Sequence, residues 1–123
     1  MHSHSVLSQD VSIAYRVIGA GSRDVILVHG WMVSGAVYDD FIASLDTEGL
    51  RLIVVDLRGS GKSGRPQSGY TIEQYAKDVL AVADAVGSRK FMLVGHSMGG
   101  QIAQWLAATA PERVLGMVLL CPV

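Results

Sequence analysis

The chain has 123 residues, 50% of them apolar and 17% charged, with a net charge of −1. That length and balance describe one folded domain. The near-neutral charge, with Arg51, Arg58, Lys62 and Arg65 spread among acids, excludes an electrostatic footprint for nucleic acid or an anionic membrane, and no apolar stretch reaches the ~20 residues that a membrane span requires.

In chain order, Met1 to Ser5 carry no basic cluster and no apolar core of a leader, so none is expected. His2 and His4 have no carboxylate or cysteine beside them, and no metal site is expected there. Residues 5–18 read as one or two short strands: Val11, Ile13 and Tyr15 alternate with Ser12, Ala14 and Arg16 until Gly19 and Gly21 break the run. Residues 24–29 (DVILVH) form a short apolar run rich in β-branched residues, suited to a strand buried on both faces. Val37, Tyr38, Phe41, Ile42 and Leu45 then fall on one helical stripe, which Gly49 ends. Residues 51–57 (RLIVVDL) read as a second buried strand, and 58–69 as a loop rich in Gly and Ser.

Thr71 opens the next helix as N-cap, with Gln74 placed to complete a capping box. Its apolar stripe is Ile72, Tyr75, Ala76, Val79, Ala83 and Val86, and Gly87 stops it. Residues 90–94 make a third buried strand. A helix from Met98 to about Ala110 follows, halted by Pro111, and residues 114–120 form a last strand. Cys121, the sole cysteine, has no internal disulfide partner; at the end of an apolar run it reads as a buried, inert thiol, and the expected compartment is a reducing, cytoplasmic one. Strands alternating with amphipathic helices predict an α/β class: three layers, α/β/α, around a mostly parallel sheet.

Gly95-His96-Ser97-Met98-Gly99 fits G-x-S-x-G, and it lies between a predicted strand and a predicted helix, the context that the motif requires. The turn is so sharp that the serine backbone is strained. Gly95 and Gly99 let strand and helix pass without Cβ clashes, and Gly100 adds room. The Ser97 hydroxyl then stands at a helix N-terminus, where free N–H groups favour a developing anion. The competing reading is a Gly-rich turn with an incidental serine.

With Leu27-Val28-His29-Gly30-Trp31 ending a buried strand, and Asp56-Leu57-Arg58-Gly59-Ser60-Gly61-Lys62-Ser63 after the next one, the chain resembles the α/β-hydrolase family across nearly all of its residues. The resemblance implies that His29-Gly30 form the oxyanion turn, with His29 inward and holding the loop. It implies that the backbone N–H groups of Trp31 and Met98 bind the oxyanion, and that Ser97 is the nucleophile. His29, Gly30, Gly95, His96 and Gly99 are supporting residues, and no cofactor is implied. Trp31-Met32-Val33 resemble the serine esterases and cofactor-free perhydrolases of the family, and Ser97 departs from the dehalogenase and epoxide-hydrolase branches, which carry aspartate at that turn.

Two other patterns fail on context. Gly59 to Gly64 satisfies G-x-G-x-x-G, but Arg65-Pro66 follow it and no helix opens there, as a dinucleotide site needs. Gly61-Lys62-Ser63 hints at a phosphate loop, yet Asp56 stands where the first glycine is required.

In this fold the triad partners follow the serine in the order acid, histidine. After Ser97 the sequence holds no histidine, and Glu112 is its only acid, read as a solvated helix-end residue. Residues 1–123 are therefore expected to be the N-terminal part of the domain, ending after the sixth strand, without the acid, the histidine and the cap. Neither His29 nor His96 is expected to serve as base. Asp56 is read as a structural partner for Arg58 or for backbone N–H groups. The resemblance places strand 114–120 beside a seventh strand, so an apolar edge is expected to be bare and Trp105 and Leu106 to lose cover. That predicts a homodimer, or pairing with a complementary fragment, through residues 114–120. The resulting hypotheses are a serine esterase acting on small ester or acyl substrates, a non-catalytic half-domain that assembles, and a module that binds acyl ligands without turning them over.

Overall fold

The computed structural model describes residues 2–120. The first strand, β1 (His2–Ser8), turns through Gln9 and Asp10, both at positive φ, into β2 (Val11–Ile18). The remaining strands are β3 (Arg23–Val28), β4 (Leu50–Val55), β5 (Phe91–His96) and β6 (Val114–Leu120). They form one sheet in the order β1-β2-β4-β3-β5-β6. β1/β2 and β2/β4 are antiparallel, and every other pair is parallel.

Helices α2 (Ile72–Ala85) and α3 (Met98–Thr109) cover one face. Their core holds Ile26, Val28, Ile53, Val55, Phe91 and Leu93, while Leu27, Leu52, Val54 and Val94 point to the opposite face. This two-residue alternation, apolar on both sides, is why the three predicted central strands read as unbroken apolar runs. The three-layer α/β/α class is as expected. The fully buried Leu106 also packs into the first core, so its expected loss of cover is corrected, whereas Trp105 is half-exposed.

The second face is thinner than predicted. In place of a helix running to Gly49 there is a single 3-10 turn (Gly35–Tyr38) and a five-residue α1 (Asp39–Ala43). Tyr38 alone of the predicted stripe is fully buried, while Val37, Phe41 and Leu45 are exposed. Asp39 and Asp40 favour a helix start, but Leu45-Asp46-Thr47 leave it for a turn, and so short a helix buries only what the turn before it anchors.

The α2 start is half as predicted. Thr71 caps it by accepting from the Gln74 N–H, but the Gln74 amide does not return to the cap; it donates to Asp78. Gly87 stops this helix at φ 73°. Among the described residues β6 pairs only with β5, across a bulge at Phe91/Met92, and its Leu115, Val118 and Leu120 are exposed. The readings of Cys121 and of the chain after it lie outside the described residues.

Candidate active site

β3, β5 and the N-terminus of α3 converge on Ser97. This residue has φ 55° and ψ −118°, a conformation that costs a non-glycine residue about 1–3 kcal/mol. The surroundings hold it there. The Ser97 N–H donates to Leu120 O at 2.9 Å, so the end of β6 braces the turn, and Ser97 O accepts from the Gly100 N–H at 2.8 Å. A Cβ on Gly95 would strike the backbone of Gly99, and one on Gly99 would strike the carbonyl oxygens of Val28 and His29. A Cβ on Gly30 would lie 3.1 Å from Ser97 Cβ and 3.5 Å from its Oγ. The glycines named from sequence thus stand where strand, helix and the turn after β3 nearly touch.

Trp31 and Met32 stand out from the turn after β3, 72% and 79% exposed, and Met32 is left-handed at φ 68°. The Trp31 N–H has no hydrogen-bond partner among the described residues. Met98 is the first residue of α3, where an N–H has no intrahelical acceptor. Both residues line one cleft of about 370 Å³, together with Leu57, Arg58, Tyr70 and Tyr75.

His29 is fully buried and committed on both nitrogens. Nε2 accepts from the Leu57 N–H at 2.9 Å, so the proton sits on Nδ1, which donates to Gly30 O at 2.6 Å. Burial holds the ring's pKa below the ordinary histidine value, against the opposing pull of the Gly30 carbonyl and the Asp56 charge. A neutral ring with no free lone pair is a brace between the ends of β3 and β4, not a base. His96 Nδ1 is the one buried side-chain nitrogen or oxygen without a partner among the described residues. His4 stacks on Tyr15.

Asp56 does not pair with Arg58. Its carboxylate accepts from the Gly35 N–H at 2.8 Å and the Lys62 N–H at 3.0 Å, so of the two expected roles the backbone one holds. Ser63 Oγ accepts from the Ala14 N–H at 2.8 Å and donates to Asp56 O, tying this loop to β2. The loop closes on β2 and α2 begins only at Ile72, as the rejection of a dinucleotide turn requires.

Arg58 instead forms a buried pair that sequence reasoning missed. Its Nε and Nη2 bind the two carboxylate oxygens of Asp78 at 2.6 and 2.8 Å, with side chains 4% and 0% exposed. Ser8 Oγ and Gln74 Nε2 also donate to Asp78. A signal existed: Asp78 lies on the apolar stripe of α2, three residues after Tyr75, where an acid needs a partner. Tyr38 was likewise seen only as apolar. Its hydroxyl donates to Val28 O at 2.8 Å and reaches Val94 O at 3.4 Å, joining the ends of β3 and β5 beneath the serine turn. Burial raises its pKa, so it remains a donor.

The sequence pattern of the alpha/beta hydrolase fold matches residues 25–123. The chain belongs to the alpha/beta hydrolase fold family. It is 36% identical over 107 residues to a non-heme chloroperoxidase of Streptomyces lividans, covering 84% of this chain and 39% of that protein. It is 33% identical to a pimeloyl-[acyl-carrier protein] methyl ester esterase of Edwardsiella ictaluri, over 87% of this chain and 39% of the relative. Among solved structures, Est816, described as an N-acyl homoserine lactone degrading enzyme, superposes with a TM-score of 0.88 at 33% identity, over 97% of this chain and 45% of its own. The chain thus spans about two-fifths of the length of these hydrolase-family relatives. No group of three or more His, Cys, Asp or Glu that could hold a metal occurs among the described residues, and no helix there is long and apolar enough to cross a membrane.

Proposed function

We propose that Ser97 is the nucleophile of an acyl-transfer hydrolase that cleaves carboxylic esters through an acyl-serine intermediate. The observation that carries this reading is the strained Ser97 backbone at the β5–α3 turn, packed against Gly30 of the turn after β3. A strained non-glycine conformation persists only where the surrounding structure enforces it, and here the enforcement puts a hydroxyl at a helix N-terminus. In the proposed reaction Ser97 Oγ attacks the ester carbonyl carbon and its proton passes to a base. The carbonyl oxygen becomes an oxyanion held by the N–H groups of Trp31 and Met98. Collapse expels the alcohol, which takes the proton, and water then releases the acid and restores Ser97. The base is not His29, whose nitrogens are both engaged. We assign the base and its carboxylate to a segment corresponding to the part of the relatives that this chain does not span, joined to it or supplied in trans. The sole cysteine is consistent with a cytoplasmic setting.

The test is p-nitrophenyl acetate hydrolysis beside Ser97→Ala at matched concentration. A Ser97-dependent rate is expected whenever the base is supplied, and equal rates for the two proteins under that condition overturn the reading.

The exposed apolar edge of β6 favours a second reading, in which this chain is an assembling half-domain. We propose that two copies pair through residues 114–120, or that a complementary fragment adds there. Sedimentation velocity is expected to show a dimer that Val118→Lys converts to monomer; a monomer at every concentration removes the homodimer.

A further inference from the structure

The cleft lined by Trp31 and by Met98, the residue after Ser97, is largely apolar, yet two buried polar residues line it. Arg58 is 5% exposed and Tyr75 4% exposed, and both line the cleft. Arg58 uses Nε and Nη2 on Asp78, and Nη2 also approaches Ser8 O. No hydrogen bond is made by Arg58 Nη1 or by the Tyr75 hydroxyl among the described residues. Neither is sealed off, because among the described residues the only buried side-chain nitrogen or oxygen without a partner is His96 Nδ1. Each of the two residues that line the cleft thus carries an unpaired donor that is not sealed from solvent, Arg58 Nη1 lying beside Gly69. A donor that loses its water when a ligand fills the cleft costs free energy unless the ligand supplies an acceptor. The Tyr70 hydroxyl, by contrast, is already used on Pro66 O.

The charge balance narrows what these donors take. Asp78 fully offsets the Arg58 charge at bidentate distance, and Arg58 is the only ionisable cation in the lining. A carboxylate would enter as an uncompensated charge in a largely apolar cleft. A neutral carbonyl oxygen needs no counter-charge and has two lone pairs, the capacity to accept from two donors. Burial also keeps the Tyr75 hydroxyl protonated and so a donor.

We infer that Arg58 Nη1 and the Tyr75 hydroxyl form a specificity subsite for a neutral carbonyl, ketone or amide, carried on the substrate away from the scissile ester. The assignment of this cleft to the substrate of Ser97 rests on the acyl-transfer reading above; the preference for a carbonyl does not. The probes are methyl 4-oxopentanoate and methyl pentanoate, equal in chain length and differing by one carbonyl. Binding is measured by NMR titration on Ser97→Ala, which cannot consume them, and on Ser97→Ala/Tyr75→Phe. Tyr75→Phe removes a hydroxyl that makes no hydrogen bond among the described residues, so the amide spectrum is expected to stay dispersed. The keto ester is expected to bind about tenfold more tightly than the pentanoate, the worth of one neutral hydrogen bond to an otherwise unpaired donor, and Tyr75→Phe to close most of that gap. Equal or tighter binding of the pentanoate, with no effect of Tyr75→Phe, overturns the subsite. Carbonyl preference without Ser97-dependent hydrolysis leaves the subsite standing and removes acyl transfer; hydrolysis without carbonyl preference does the reverse.

Discussion

Replacing Asp78 by Asn tests whether the Arg58–Asp78 pair organises the cleft. The substitution keeps the side-chain volume and removes the charge that faces Arg58. Arg58 and Asp78 are almost wholly buried, and the carboxylate accepts four hydrogen bonds, from Arg58 Nε and Nη2, Ser8 Oγ and Gln74 Nε2. In the variant the guanidinium stays buried with its charge uncompensated. Breaking such a pair from one side costs about 3–5 kcal/mol, against about 5–15 kcal/mol for the whole stability of an ordinary domain. With a urea m-value of about 1.5 kcal/mol/M, the midpoint is expected to fall by about 2–3 M. The assay is urea unfolding followed by tryptophan fluorescence and circular dichroism together. The companion variant Arg58→Met/Asp78→Leu removes both charges and is expected to recover most of the loss, because the penalty lies in the stranded partner rather than in the bond. A loss under about 1 kcal/mol for Asp78→Asn, or a double variant no better than the single, refutes the reasoning.

Gly99→Ala forces a Cβ onto the Val28 and His29 carbonyl oxygens, which are backbone and cannot swing away; a loss of about 1–3 kcal/mol is expected by urea unfolding, with a weakened Ser97-dependent rate. His29 has a folded pKa below its unfolded value, so the unfolded chain binds the extra proton first. Stability is therefore complete above the unfolded pKa of about 6.5 and declines as pH falls from there toward the folded value. The urea midpoint between pH 7.5 and 5 is expected to fall in wild type and to fall less steeply in His29→Gln. Thr71→Ala removes the side-chain acceptor of the Gln74 N–H, and a loss of about 1 kcal/mol in the same unfolding assay is expected.

Much of this molecule was legible in order along the chain. Alternation over 11–16 marked β2, unbroken apolar runs marked β3, β4 and β5, and Thr71 and Gly87 bounded α2 to within a residue. The serine turn was equally plain, because its glycines answer local clashes between a strand and the helix that follows it directly. These signals are periodic or adjacent, so a linear sequence carries them. The stripe 37–45 misled for the same reason: its period was helical, but nothing local revealed that only Tyr38 would be covered.

What the sequence by itself determined is therefore the class of fold, the place of Ser97 and the family to which the chain belongs. The tertiary structure alone decided the partners of the buried polar groups: Tyr38 on the Val28 carbonyl, His29 between Gly30 and Leu57, Asp56 on backbone N–H groups and Arg58 on Asp78. Each of these joins residues on different elements through space. Periodicity reports that a face is buried, but a polar group on that face is satisfied by whatever the packing brings opposite, and that is set only once the sheet and its helices have closed.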